Sequence, residues 1–167
     1  MYRDVVGSAA WDALPRVLHD LHERGGDGTF TVTSRGMARL FSALGFAPSA
    51  GVVPVTLRVE KTDDGRERWI RNFRGEVFAT EQRLVQGLIA EKYGVIDVRF
   101  KVVARGVTLH YEVIDIRLFG LALPKWMRPQ AEASERADGP RVCVSVSIGK
   151  SFRYTGMLTP PAWPGAR

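Results

Sequence analysis

A mainly β fold, an antiparallel meander curled into a barrel or half-barrel of about ten strands, is predicted by three observations. Apolar and polar residues alternate with a period of two from residue 52 almost to residue 158, the mark of strands with one dry face and one wet face. Nearly every break in the alternation holds a glycine, which supplies the positive φ of a tight turn at little cost. The breaks are short, and short connections can join only antiparallel neighbours. A meander of that many strands curls on itself and does not stay flat.

The elements follow in order. Residues 1–24 read as an N-terminal helix, with Trp11, Leu14, Leu18 and Leu21 on one stripe, Pro15 placed as in a first turn, and Gly25-Gly26 as the stop. A short strand covers Thr29–Thr33. A second short helix is predicted over Gly36–Leu44, where Met37, Leu40, Phe41 and Leu44 share a face and Gly45 and Pro48 block extension. Strands then recur through Val53/Val55/Leu57/Val59, Ile96/Val98/Phe100/Val102, Val107/Leu109/Tyr111/Val113 and Val142/Val144/Val146/Ile148. Turns fall at Asp63-Asp64-Gly65, Arg74-Gly75, near Gly94, at Arg105-Gly106, Asp138-Gly139 and Gly149-Lys150. One break is different. Leu118–Pro129, LFGLALPKWMRP, is too apolar and too rich in proline for a simple hairpin. The chain forms a single domain over residues 1–160, with a loose tail at 161–167.

Composition narrows the function classes. A lone cysteine, Cys143, excludes an internal disulfide framework. No run approaches the length of a spanning helix and the N-terminus lacks a signal-peptide core, so a cytoplasmic protein is expected. The net charge of +6 is spread through strands and turns without a basic block. No stacking motif for single strands accompanies it, so no specific nucleic-acid partner is expected.

Short motifs run the length of the chain: Met1-Tyr2-Arg3, Leu14-Pro15 with Leu18-His19, Glu67-Arg68-Trp69 with Arg71 and Phe73, Leu121-x-Leu123-Pro124, and Tyr154-x-Gly156-x-Leu158. Through them the chain resembles a bacterial domain family of unknown function, found alone or fused C-terminal to saccharopine-dehydrogenase-like or epimerase-like NAD(P)-binding domains. The resemblance implies a role beside redox or lipid metabolism and a partner oxidoreductase, and it brings no catalytic residues. No glycine-rich dinucleotide fingerprint is present, so no cofactor is expected in this chain.

Trp69, Arg71 and Phe73 share one face of a strand. Pointed inward, they would place a cation in an apolar cavity, where a ligand carboxylate or phosphate could answer it. Pointed outward, Arg71 would lie solvated between two rings. The inward reading gives the ligand-binding set Trp69, Arg71, Phe73, Phe100, Tyr111 and Tyr154, and a hydrophobic or amphipathic ligand of lipid or fatty-acyl type. Leu121, Leu123, Trp126 and Met127, with Lys125 and Arg128 at their rim, form a lip, a plug over the barrel end, or a contact for a partner or membrane surface. His19, His22 and Glu23 fall near one helix face without a metal-site pattern, and no metal is expected. His110 and Glu112 share a wet strand face, and Cys143 has no activating neighbour in sequence, so no catalytic set is assigned.

Overall fold

The computed structural model describes residues 1–35 and 48–162. Three short helices come first: α1 (Tyr2–Val6), α2 (Ser8–Asp12) and α3 (Arg16–Arg24). The strands are β1 (Gly26–Ser34), β2 (Gly51–Lys61), β3 (Glu67–Phe73), β4 (Glu76–Val85), β5 (Leu88–Tyr93), β6 (Ile96–Arg105), β7 (Thr108–Leu118), β8 (Leu121–Ala122), β9 (Ala131–Asp138), β10 (Arg141–Ile148) and β11 (Phe152–Thr159). A 3-10 turn, Lys125–Met127, lies between β8 and β9. Each strand pairs antiparallel with its neighbours in the order β6-β5-β4-β3-β2-β1-β11-β10-β9-β7, and a β6–β7 pairing closes the ring. The result is a closed barrel of ten strands, with two-residue β8 folded back on the end of β7. Among the described residues closure leaves no strand at the edge of an open sheet apart from the two-residue β8.

The alternation in the sequence maps directly onto the wall. Phe30, Val53, Val55, Leu57, Trp69, Phe73, Phe100, Val102, Leu109, Val142, Val144 and Leu158 are all buried in one core. Their odd or even neighbours, such as Thr31, Arg58, Lys101 and Thr155, face solvent. The predicted turns are all found, and two more lie at Gln86-Gly87 and Phe119-Gly120. A register irregularity between Arg99 and Phe100 helps to bend β6 around the ring.

The N-terminus departs from the single helix predicted. Gly7 takes φ 91 and ends α1, and Pro15, extended at ψ 138, starts α3 as its N-cap. Glycine stops the first segment and proline cannot continue the second. The apolar stripe nevertheless works as expected, with Leu14, Leu18 and Leu21 buried. α3 packs against β2, β9 and β10, and α1 against β5 and β6, so the helices plug one end of the barrel. The helix expected over Gly36–Leu44 and most of the tail after Ala162 lie outside the described residues.

Candidate functional site

The interior changes character along the barrel axis. Towards the rim opposite the helical plug, aromatic rings pack on one another. Phe30 stacks on Tyr154 at 5.5 Å between centroids, and Phe73 meets Phe78, Tyr154 and Phe30 at 5.7, 6.0 and 6.1 Å. Rings offset or edge-on at these separations gain from their quadrupoles as well as from burial. Towards the plug the interior becomes polar. Tyr2 Oη, from α1, donates to Gln82 Oε1 at 3.0 Å. His22 Nε2, from α3, lies 2.7 Å from Glu135 Oε2 on β9. Trp69 Nε1 donates to Glu67 Oε2 at 3.3 Å.

All six residues of the predicted ligand-binding set face the interior. Trp69 and Phe73 alternate with the wet face of β3, Phe100 lies on β6, and Tyr111 and Tyr154 pack against the core from β7 and β11. The outward alternative for Arg71 does not hold, because register puts it opposite Leu57 and Phe78 on the inner wall. Its charge is answered from within the barrel. Arg71 Nη2 pairs with Glu91 Oε1 at 3.1 Å, Nη1 donates to Thr80 Oγ1 at 2.9 Å, and the guanidinium lies 5.4 Å from the Trp69 ring centroid. An anionic ligand group would therefore share Arg71 with Glu91.

The polar layer holds a second buried pair, a histidine with a carboxylate, that the sequence did not flag. The His22 side chain is only 4% exposed and is walled by Tyr2, Trp69 and Trp11 at 4.1, 5.2 and 5.5 Å. Burial opposes ionisation of Glu135, but His22, the Tyr111 hydroxyl and Arg71 outweigh it and hold the carboxyl below its usual range. His22 Nε2 accordingly donates to an ionised carboxylate. Burial, then Glu135 beside it, push the Tyr111 hydroxyl well up, and Tyr2 is raised in the same way. Tyr154 is pushed up to about 12, chiefly by burial, so all three phenols stay protonated as donors. Two atoms of this layer, His22 Nδ1 and Tyr111 Oη, make no hydrogen bond of good geometry, although Glu135 and Tyr2 lie beside the hydroxyl.

His22 was legible in part, since it falls four residues after Leu18 on the buried stripe of α3. Glu135 sits between Ala133 and Ala137 on the inward phase of β9, a charged residue where the pattern calls for an apolar one. Neither signal says that the two residues meet. His110 and Glu112 face outward into a groove of about 450 Å³ shared with Glu132, Ser134, Ser145 and Ser147, and Arg105 reaches Glu112 at 3.4 Å. Cys143 is a half-buried free thiol. Among the described residues no cluster of three or more histidines, cysteines or carboxylates could hold a metal ion.

The predicted lip is neither a plug nor packed inward. Phe119, Leu121 and Trp126 are 74%, 75% and 83% exposed, Met127 is exposed, and only Leu123 is half-buried. The loop is nonetheless pinned at its base. Arg128 Nε donates to the Leu123 carbonyl at 2.7 Å and Nη1 to the Ile114 carbonyl at 2.8 Å, and Nη2 lies 3.0 Å from Asp115 Oδ1.

These features define a closed antiparallel β-barrel with a helical plug at one end and a polar layer beneath it. The chain belongs to the family described as "Domain of unknown function (DUF4166)", which matches residues 14–158. That settles the family expectation at the level of a domain of unknown function. No curated protein matches the chain. Among solved structures it is similar to secretory abundant heat soluble protein 4 from Ramazzottius varieornatus, at 12% identity and a TM-score of 0.45, over 80% of this chain and 92% of that one. A likeness at that score carries no argument about this chain. Among the described residues no helix is long and apolar enough to cross a membrane.

Proposed function

We propose that the protein is a cytoplasmic, non-catalytic binding barrel for a hydrophobic or amphipathic small molecule of lipid or fatty-acyl type. The observation that carries this reading is the two-part interior. An aromatic wall of Phe30, Phe73, Phe78 and Tyr154 leads to a layer holding the Arg71–Glu91 ion pair, the His22–Glu135 hydrogen bond and protonated phenols. A structural core needs no such layer, since buried ion pairs contribute little net stability compared with apolar packing. An amphipathic molecule has the matching order, a chain for the rings and a head for Arg71, Glu91, Tyr111 and Tyr154. Extraction of the natively purified protein with organic solvent, followed by mass spectrometry, tests this directly. A stoichiometric amphipathic compound is expected, and its loss from Phe73→Ala/Tyr154→Ala protein would place it in the interior. Protein that yields no such compound, and takes up none from a mixed lipid extract, would refute it.

A second reading is favoured by the exposure of the lip. Leu121, Leu123, Trp126 and Met127 would then form the contact of an accessory module with a partner oxidoreductase or a membrane surface. A large aromatic at 83% exposure on a pinned loop is the supporting observation.

A further inference from the structure

We propose that the described connections at the rim opposite the helical plug form a docking face for an anionic lipid bilayer, entered by the apolar tip of the 118–128 loop. This rests on the contact reading of that loop and extends it to the described connections beside it. Backbone hydrogen bonds join the connections there into a single surface. Phe119 N donates to Val95 O at 2.9 Å, Gly149 N to Gln130 O at 2.6 Å, Arg35 N to Ser151 O at 2.8 Å and Arg74 N to Pro54 O at 3.1 Å.

Charge is distributed differently at the two ends. The described connections at the rim carry Arg35, Arg74, Lys125, Arg128 and Lys150 and no acid, and all of these but Arg128 are exposed. At the plug end the charges are mixed, with Asp4, Asp12, Asp20, Glu23, Asp63 and Asp64 beside Arg3, Arg16, Arg24 and Arg66 on the helices and the β2–β3 turn. Two acids on strands next to the rim, Asp115 and Glu76, are already engaged, and exposed Glu132 lies on the barrel's outer side in the groove with His110. Asp115 lies 3.0 Å from both Arg117 and Arg128, and Glu76 accepts from the Ser49 amide and hydroxyl. Lys125 and Lys150 make no ion pair among the described residues. Five basic residues with no acid among them are therefore displayed where Phe119, Leu121 and Trp126 project. Val95 and Ile148 lie exposed on the same rim beside Phe119, Leu121 and Trp126.

Apolar side chains ringed by lysine and arginine, with a tryptophan among them, match the layered chemistry of a bilayer interface. The rings enter the acyl boundary while the cations meet anionic headgroups, and the cytoplasmic leaflet is the anionic one. Phe119 adds to the case. It holds φ 52 in a tight turn, where glycine or asparagine would fit with less strain and an exposed phenylalanine serves no packing need.

The test is co-sedimentation of the full chain with vesicles of phosphatidylcholine alone and of phosphatidylcholine mixed with phosphatidylserine. Binding to the mixed vesicles is expected, weakening with added salt and falling about fivefold for each of Lys125→Gln and Lys150→Gln. Leu121→Asp/Trp126→Asp protein should stay in the supernatant while its circular dichroism melt is unchanged. Failure to sediment with the mixed vesicles, equal binding to both vesicle types, or unchanged binding by the double variant would overturn the proposal. The broader contact reading fails separately, if the native mass of the chain from its own cells is the same with and without the two aspartates. Extraction of an interior ligand is independent of both results.

Discussion

Glu135 shows what a single residue contributes here. Its carboxylate is buried, receives the His22 Nε2 proton at 2.7 Å, and is held below the usual carboxylate range by that contact. A carboxyl lowered in the folded state stabilises the protein above its unfolded value of about 4.3, and that contribution is lost as pH falls through the folded value. Glu135→Gln keeps the shape but removes the charge from a buried pair. We expect it to lower stability by about 2–3 kcal/mol at pH 7, the range for hydrogen bonds to buried charged groups. Urea titrations should show the gap between variant and parent narrowing as pH drops below about 4. A gap that stays constant with pH would show that Glu135 is not ionised at neutrality. Asp64 and Glu76 are lowered as well, by the Thr62 and Ser49 hydroxyls first of all, but they sit in solvent and add little to this profile. None of this pairing could be read from the sequence, because the partners are 113 residues apart and meet only when the barrel closes.

At the scale of elements the sequence was most informative about strands and turns, because their signals are local. The period of two in Val53/Val55/Leu57 is a statement about one strand and its two faces, and every predicted glycine turn appears where it was placed. The helical segment was misread as continuous because Gly7 and Pro15 act through backbone conformation, while the stripe Leu14, Leu18, Leu21 is indifferent to a break upstream. Ring closure was only half legible, since alternation gives faces but not which strands meet last. The seam between β1 and β11 shows a constraint on closure that no pattern announces. Gly28 and Gly156 both lie on the inner face, and Phe30 lies across Gly156 in direct register. A Cβ on Gly156 would collide with the Phe30 ring and the Thr29 carbonyl oxygen. Gly156→Ala should therefore cost about 3 kcal/mol, at the upper end for overpacking, because a backbone atom blocks relief. Gly139→Ala, at a turn with open space around it, should cost only about 1 kcal/mol for its left-handed φ of 59. Thermal melts of the two variants compare them directly, and equal losses would show that the seam can open to admit a methyl group.

At the scale of the whole molecule the barrel has two ends built on opposite terms. At one end helices bury Leu14, Leu18 and Leu21 against the wall, and at the other a pinned loop holds Phe119, Leu121 and Trp126 out in solvent. The sequence presents both sets alike, as leucines and aromatics near basic residues, so only their placement separates core from contact surface. Two leucines make the contrast measurable. Leu21 is 0% exposed and Leu121 is 75% exposed. Leu21→Asp forfeits about 2–3 kcal/mol of burial and adds several more for an unpaired charge inside the plug. Together these approach the roughly 5–15 kcal/mol that hold a typical domain folded. The expected result is loss of the cooperative melt, or a large fall in its midpoint with the barrel opened at its plug. Leu121→Asp changes a side chain that touches little and should move stability by no more than about 0.5 kcal/mol. Circular dichroism melts of both variants, with a hydrophobic dye reporting exposed core, make the comparison. If Leu121→Asp were as damaging as Leu21→Asp, the lip would be part of the folded core, and both the contact reading and the bilayer proposal would fall with it.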